Sequence, residues 1–407
     1  MNQRYTASTI CLSTALLTSC TGGGGNPPAP AGFALPNLRL QSAREAKSTN
    51  YRIVTDFSSV YDGSYPAGGL LDVKGTLYGS TVVGGAFGQG NVFSLSTTGT
   101  ENVLHSFGGP LDGSNPEGTL VDVNGTLYGM APGDGVYNWG VIYAITRSGG
   151  ESVLYSLHGS PNDGADGQAS VLIYVKRKFY GLTTDGGKWG RGTVFSLTPT
   201  GSEKVLHSFY GGQSDGAWPD GGLVYLNGLL YGTTTAGGSQ YASRDIGDGV
   251  VFSITPTGTE NILYSFPYGG SQGCCPNAGL VNINGTLYGT AAGGGPNGGG
   301  IAFSITTGGT LTDLHDFGKG SDGSGPTGPP IDVKGVLYGT TSGGGAYRKG
   351  TVYRMTLSGS EKVLHSFGDG SDGATPIAGV TALKETLYGT TSGGGANGNG
   401  TVFALKL

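Results

Sequence analysis

RIVTDF, residues Arg52–Phe57, is the stretch of sequence that decides the fold. It matches NVLHSF (Asn102–Phe107) and KVLHSF (Lys204–Phe209), each of which ends one unit of a long internal repeat. The copy at Arg52 stands before the first complete unit, and the sequence stops at GTVFALKL (Gly400–Leu407), one segment short of a complete last unit. A segment that is spare at one end and missing at the other indicates a closed ring, because an open solenoid has no reason to divide a unit.

The units recur with a regular period. The tyrosine of the motif LYG, or its equivalent, follows the previous one after 50, 52, 51, 57, 50 and 50 residues. A fixed period of this size is typical of a repeat architecture. Seven units of about fifty residues fill the chain between Tyr51 and Leu407. Their tyrosines are Tyr78, Tyr128, Tyr180, Tyr231, Tyr288, Tyr338 and Tyr388.

Each unit contains four short patterns that predict β-strands of five to seven residues. Examples are GLVYLNG (Gly222–Gly228), LLYGTT (Leu229–Thr234), GTVFSLT (Gly192–Thr198) and KVLHSF, rich in β-branched and aromatic residues. Strands one and two meet at Asn-Gly or Lys-Gly, which favours the tight turn of a hairpin. We therefore predict an all-β fold: a seven-bladed β-propeller with four antiparallel strands per blade and an N-terminal strand that closes the last blade.

The composition agrees with a β-repeat protein and excludes other classes. Glycine accounts for 83 of 407 residues without a collagen triplet period, and 36% of residues are apolar, which disfavours disorder. The net charge of −5, with no basic stripe, argues against nucleic acid as a partner. No apolar run is long enough to span a bilayer.

Residues 1–20 have the plan of an export signal. One cation, Arg4, precedes a short apolar stretch, and the segment ends in LTSC (Leu17–Cys20), which resembles a bacterial lipobox. By that resemblance Cys20 is lipidated, and Gly22, which is not aspartate, favours an outer-membrane or cell-surface lipoprotein. An ordinary secretory signal is the alternative. Residues 21–50, rich in glycine and proline, then form a tether ahead of a propeller domain at residues 51–407.

The remaining cysteines do not predict a disulfide framework or a zinc site. Cys274 and Cys275 are adjacent, so they form either a vicinal disulfide or two thiols in one loop. We predict no metal and no cofactor from the sequence.

The repeat resembles the GloVer family, named for Gloeobacter and Verrucomicrobia. The resemblance rests on G-x-L-Y-G-T-T-x-x-G-G, then G-T-V-F-S-L-T-x-x-G, then x-V-L-H-S-F, and it covers essentially all of Tyr51–Leu407. It implies an exported, variously anchored protein and brings no established activity. Blades two and five depart from the pattern at GMAPGDGVYNWG (Gly129–Gly140) and SQGCCP (Ser271–Pro276).

The long loops between strands two and three, and between strand four and the next blade, are expected to share one face. Function usually lies on loops that a rigid scaffold carries, so we assign the ligand-binding role to aromatic and basic residues of these loops and to the mouth of the central channel. Exposed rings there would stack on sugars or contact a protein; the alternative is that they pack between blades. The predicted residues are Phe87, Tyr137, Trp139, Trp189, Trp218, Tyr347 and Arg348.

Two other recurring sets are interpreted as structural. Single aspartates before glycine fit turns better than a calcium site, and the histidines of strand four are too far apart to share a metal. The aspartates are Asp62, Asp112, Asp163, Asp215, Asp322 and Asp372; the histidines are His105, His207, His315 and His365.

No catalytic residue is assigned, because nothing in the spacing brings two chosen carboxylates together. Asp245 and Asp248, in the longest inserted loop, are the first suspects if the protein is an enzyme. We predict a monomeric, surface-anchored, non-enzymatic module that binds carbohydrate or protein. The alternatives are an extracellular polysaccharide hydrolase or lyase and a structural module of the cell envelope.

Overall fold

The computed structural model describes residues 50–58, 61–109, 111–167, 170–238, 247–267 and 269–407. The predicted export signal, the lipidation site Cys20, the tether up to residue 49 and the suspect Asp245 lie outside the described residues. The described part contains β-strands and no helix long and apolar enough to cross a membrane.

Seven antiparallel four-stranded sheets form seven blades, which confirms the predicted propeller. Strand one lies at Leu71–Val73, Val121–Val123, Ile173–Val175, Gly216–Leu226, Val281–Ile283, Ile331–Val333 and Thr381–Leu383. Strand two lies at Thr76–Thr81, Thr126–Ala131, Lys178–Thr183, Leu229–Gly237, Thr286–Ala291, Val336–Gly344 and Thr386–Thr391. Strand three lies at Asn91–Ser96, Val141–Thr146, Thr193–Leu197, Val250–Ile254, Ile301–Thr306, Thr351–Thr356 and Thr401–Lys406.

Strand four, the outer strand, completes each blade. In blades 1 to 6 it lies at Glu101–Ser106, Glu151–Ser156, Glu203–Ser208, Glu260–Ser265, Leu311–Asp316 and Glu361–Ser366. Short additional strands in the long loops lie at Gly164–Ala165, Asp185–Gly186, Gly323–Pro326, Gly373–Ala374 and Gly393–Gly394.

The fourth strand of blade 7 comes from the other end of the domain. Tyr51–Asp56 pairs antiparallel with Thr401–Lys406, with Tyr51 opposite Leu405 and Asp56 opposite Thr401. The prediction that an N-terminal strand closes the last blade is therefore confirmed. The closing strand gives blade 7 the same four strands as the other blades and joins the two ends of the propeller domain.

The predicted length of strand one is wrong for most blades. It has three residues in six blades, and only blade 4 extends it, to the eleven residues Gly216–Leu226. The residues just before strand one lie close to those of the neighbouring blade: a Cβ added to Gly68 would lie 2.7 Å from the Gly118 carbonyl oxygen. Chain crowding at this point limits the pairing of strand one.

The repeated motif LYGTT is a packing element. A Cβ on its glycine would collide with the aromatic ring of strand three, as at Gly289, where it would lie 2.7 Å from Cζ of Phe303. Only glycine allows this ring to lie flat on strand two. The hairpin turn between strands one and two also has the predicted conformation. In blade 2, Asn124 and Gly125 adopt left-handed φ values of 54° and 90°, as expected for an Asn-Gly hairpin.

The two threonines of the motif have separate roles. The first clamps neighbouring blades: Thr233 Oγ1 donates to the Ala278 carbonyl at 3.1 Å, and Thr390 Oγ1 donates to the Gly68 carbonyl at 3.1 Å across the ring closure. The second joins strands two and three, since the hydroxyls of Thr341 and Thr351 lie 2.9 Å apart.

The hydrophobic core lies between blades. One cluster packs Tyr78 of blade 1 against Tyr143 of blade 2, and another packs Phe57 and Phe93 against Tyr388 of blade 7. Each blade therefore depends on its neighbours for the burial of its apolar faces.

Candidate functional site

The long loops of one face are tied to one another by backbone hydrogen bonds. The Ser64 amide donates to the Val83 carbonyl at 2.9 Å, and the same bond recurs from Ser114 to Gly133. The loops of the candidate site are therefore held by the blade frame.

Five of the predicted aromatic residues are exposed on this face. Phe87, Tyr137, Trp139, Trp189 and Tyr347 expose between 44 and 65% of their surface. Each stands in the loop that leads from strand two to strand three. The alternative that these side chains are buried between blades does not fit their exposure.

The same rings lie against the outer part of their own blade. Phe87 packs on Gly108, and a Cβ added to Gly368 would lie 3.1 Å from Cβ of Tyr347. Both glycines come two residues after the end of strand four, the outer strand. The rings thus stand over the outer strands.

Tyr137 belongs to a connected group. Its ring lies 4.2 Å from that of His158, at 31° between planes. His158 Nδ1 lies 3.1 Å from Oδ2 of Asp163, to which the Tyr155 hydroxyl donates at 2.8 Å. The buried Asp163 therefore fixes the platform under Tyr137.

Basic groups accompany several of the rings. Lys188 Nζ lies 4.7 Å from the centroid of the Trp189 ring, and the Arg191 guanidinium lies 5.9 Å from that of Trp218. Trp218 is half-buried, unlike the other predicted rings, and its amide donates to the Arg191 carbonyl at 2.9 Å. Arg348 is exposed next to Tyr347.

A central cavity of about 300 Å³ is lined by residues of all seven blades. Its volume is at the lower end of ligand cavities, roughly 300–1,000 Å³. In several blades a proline lies shortly before strand one, and the residue after this proline lines the cavity. These lining residues are Glu117, Asn277 and Thr327. The Asn277 Oδ1 and Thr327 Oγ1 atoms are buried, and neither has a hydrogen-bond partner among the described residues. The sequence analysis did not predict that these residues line one cavity. The signal was that the residue after the proline differs from blade to blade, although the residues around it repeat.

Asp220 occupies the equivalent position in blade 4. Burial raises its pKa to about 6, the hydrogen bond from the Gly221 amide at 2.7 Å opposes this shift, and the charge of Asp166 adds to it. Two carboxyl groups thus interact at the junction of blades 3 and 4. Asp248, the described member of the suspected pair, accepts a hydrogen bond from the Gly270 amide at 3.0 Å and so joins its loop to the loop that follows strand four.

The recurring aspartates and histidines pair with each other. Nε2 of the histidine in strand four lies 3.1 Å from the aspartate of the following loop at His105–Asp112 and 2.8 Å at His365–Asp372. In blade 4 the same contact is Tyr264 to Gln272 at 2.8 Å. The sequence analysis did not predict this pairing. The signal was that blade 4 replaces the histidine and the aspartate together, by Tyr264 and Gln272.

Two further features of the sequence are explained by contacts within their own loops: the aspartate in the middle of strand one, and the adjacent cysteines. Asp72 and Asp332 accept the amide of the turn glycine three residues later, each at 2.8 Å. Cys274 and Cys275 are free thiols whose sulfur atoms lie 3.1 Å apart.

Comparison with known families settles the relationship of the repeat. The profile of the Gloeobacter/Verrucomicrobia repeat matches residues 43–246 and 241–407. The chain belongs to this family. The resemblance predicted from the LYG, GTVFSL and VLHSF motifs is therefore confirmed. No curated protein matches the sequence.

Solved structures share the fold of this Gloeobacter/Verrucomicrobia repeat protein at low identity. Virginiamycin B lyase from Staphylococcus aureus is 13% identical, with a TM-score of 0.56 over 88% of this chain and 98% of that one. A streptogramin B lyase is 14% identical, with a TM-score of 0.57 over the same shares. A puromycin-hydrolyzing peptidase from Mycobacterium tuberculosis is 12% identical, with a TM-score of 0.52 over 88% of this chain and 54% of that one. Identities this low show the propeller fold alone.

Proposed function

We propose that this protein is a non-enzymatic binding module whose long-loop face recognises carbohydrate. The observation that carries the proposal is the exposure of Phe87, Tyr137, Trp139, Trp189 and Tyr347 on one face of a rigid ring. Exposed aromatic rings lose little side-chain entropy on binding and offer a flat surface to the apolar face of a sugar. A protein ligand is the other outcome that such rings allow.

The polar groups of the same face suit a hydroxyl-rich ligand. Lys188 and Arg348 lie beside two of the rings and can donate hydrogen bonds. The buried oxygens of Asn277 and Thr327 in the central cavity lack partners among the described residues and can bind ligand or water. A sugar chain would thus find stacking surfaces outside and polar groups at the centre.

A glycan array tests the proposal. Wild type is expected to bind at least one class of glycan, and a Tyr137→Ala/Trp189→Ala/Tyr347→Ala variant is expected to lose at least tenfold in signal. Asn397→Ala is the matched control, because Asn397 occupies the same loop position in blade 7. Glycan binding that survives in the triple variant, or no glycan binding by wild type, would reject the proposal.

The buried carboxyl group of Asp220 favours a second candidate, a polysaccharide hydrolase or lyase. A carboxyl group with a pKa of about 6 acts as an acid or a base near neutral pH. Turnover of a polysaccharide panel by wild type, lost in Asp220→Asn but retained in Asp248→Asn, would establish this candidate in place of simple binding.

We also infer export and lipid anchoring through Cys20, on the basis of the LTSC sequence. Metabolic labelling with palmitate is expected to mark wild type and Cys11→Ser but not Cys20→Ser. Equal labelling of the two cysteine variants would contradict the anchor.

A further inference from the structure

Neighbouring blades meet through a repeated trio of side chains. The first comes from the end of strand four, the second from the loop that follows it, and the third from the start of strand four of the next blade. At the junction of blades 3 and 4 the trio is His207, Asp215 and Glu260; at the junction of blades 5 and 6 it is His315, Asp322 and Glu361.

The junction of blades 1 and 2 has the same residue types, His105, Asp112 and Glu151, but among the described residues only the other two trios bring their ligand atoms together as a metal site requires. In each, one ligand atom from every residue lies within 4.8 Å of the other two. Nε2 of His207 lies 3.1 Å from Oδ1 of Asp215, and Nε2 of His315 lies 3.0 Å from Oδ2 of Asp322. Ligands of a tetrahedral Zn²⁺ at about 2.0–2.2 Å from the ion are themselves about 3.3–3.6 Å apart. A small movement of the glutamate would therefore complete three ligands.

The glutamates are the unexplained members of the trios. The Oε1 atoms of Glu260 and Glu361 are buried and have no hydrogen-bond partner among the described residues, as is also true of Glu101, Glu151 and Glu203 at junctions where no such trio forms. Each carboxylate faces a second one, Asp215 or Asp322, at close range. A buried oxygen without a donor beside a like charge is costly unless a cation or a proton compensates it.

We propose that these two junctions bind a divalent transition-metal ion, with Zn²⁺ as the ion best suited to one imidazole nitrogen and two carboxylate oxygens. The histidines are only partly exposed, at 18% and 22% of their side chains, so water completes the coordination from one side. The ion joins the outer strands of adjacent blades and stabilises the ring. This site is independent of the proposed carbohydrate binding.

The protein contains its own negative control. At the junction of blades 4 and 5 the same three positions hold Tyr264, Gln272 and Leu311. None of these carries a carboxylate or an imidazole, although the backbone arrangement repeats. A metal site that depends on the trio is therefore excluded at this junction.

The test is the stoichiometry of Zn²⁺ on the full chain, produced without a histidine tag and stripped with EDTA, by calorimetry and elemental analysis. Wild type is expected to bind two equivalents, and His207→Gln and His315→Gln one equivalent each. Co²⁺ in place of Zn²⁺ is expected to give a visible absorption band that halves in either variant. Circular dichroism checks that each variant is folded.

Two further variants make the result decisive. Cys274→Ser/Cys275→Ser is expected to keep both equivalents, since the thiols lie outside the trios. Tyr264→His/Gln272→Asp/Leu311→Glu is expected to add a third. A stoichiometry that is unchanged in both histidine variants, or that vanishes in the cysteine variant, would overturn the proposal.

Discussion

The frame of each blade and the long-loop face use the same residue types for opposite purposes. Phe303 of strand three is fully buried against Gly289 and Phe266, whereas Phe87 of the loop before strand three exposes 65% of its surface. The frame repeats because every blade must pack on two neighbours. The face varies because the loop residues have no such requirement, and the proposed carbohydrate binding would use this freedom.

The largest predicted difference separates these two phenylalanines. Phe303→Ala is expected to lower the free energy of unfolding by about 3–5 kcal/mol, because it leaves a cavity in the core between blades. Phe87→Ala is expected to change it by less than about 0.5 kcal/mol. Chemical denaturation of both variants measures the contrast, and comparable losses would show that the loop aromatic is part of the frame.

The inter-blade threonines sharpen the comparison within the frame itself. Thr390→Val removes the hydrogen bond to Gly68 and leaves that buried carbonyl unpaired, at an expected cost of about 1–2 kcal/mol. Thr290 occupies the same position in blade 5, but its buried hydroxyl has no partner among the described residues. Thr290→Val is therefore expected to be neutral or stabilising. Equal losses for both, measured by denaturation, would contradict the clamp.

The hairpin turn between strands one and two of blade 3 places two residues other than glycine in the left-handed region. Lys176 and Arg177 both adopt left-handed φ values, 49° and 65°, where five of the other six blades have glycine in the second place and blade 7 has Glu385. Arg177→Gly is expected to raise the stability by about 0.5–1 kcal/mol, since the relief of strain exceeds the entropy that glycine loses. The reverse change, Gly228→Arg in blade 4, is expected to destabilise by a similar amount. A destabilised Arg177→Gly variant would show that the arginine makes a compensating contact.

Much of the frame was predictable from the sequence. The fifty-residue period, the Asn-Gly turns and the spare segment Arg52–Phe57 are local patterns, and they predicted seven closed blades. The three-residue length of strand one was not predictable, because it follows from crowding between chains of different blades around the central cavity.

The candidate site was predictable only as a face. The loop position of Phe87 and Tyr347 follows from the repeat, but their packing on glycines after strand four depends on three-dimensional proximity. The same limit applies to the trios between blades: Glu260 lies 45 residues after Asp215 in the sequence. Its role in a cluster appears only when the blades are placed side by side.

The junction of blades 2 and 3 predicts a pH dependence of the frame. Burial, with the charge of Asp163, raises the pKa of Glu203 from 4.5 to about 8. Because the folded state favours the protonated carboxyl, this stabilisation is fully present below about pH 4.5 and is lost as the pH rises through 8. In EDTA, the melting temperature is expected to fall between pH 5 and 8.5, and to fall less in Glu203→Gln. The exposed Glu385→Gln should behave as wild type; an equal fall in Glu203→Gln would contradict the assignment.

The central claim is that the exposed loop aromatics bind the ligand, whereas the blade frame provides the stability. The most direct test measures ligand affinity and stability on the same variant. Tyr137→Ala/Trp189→Ala/Tyr347→Ala is titrated by calorimetry with the glycan that the array selects, and its melting temperature is compared with that of wild type. We predict an affinity at least tenfold weaker with a melting temperature within about 3 °C of wild type, since exposed substitutions change stability little. An unchanged affinity, or a variant that loses binding only because it unfolds, would contradict the account.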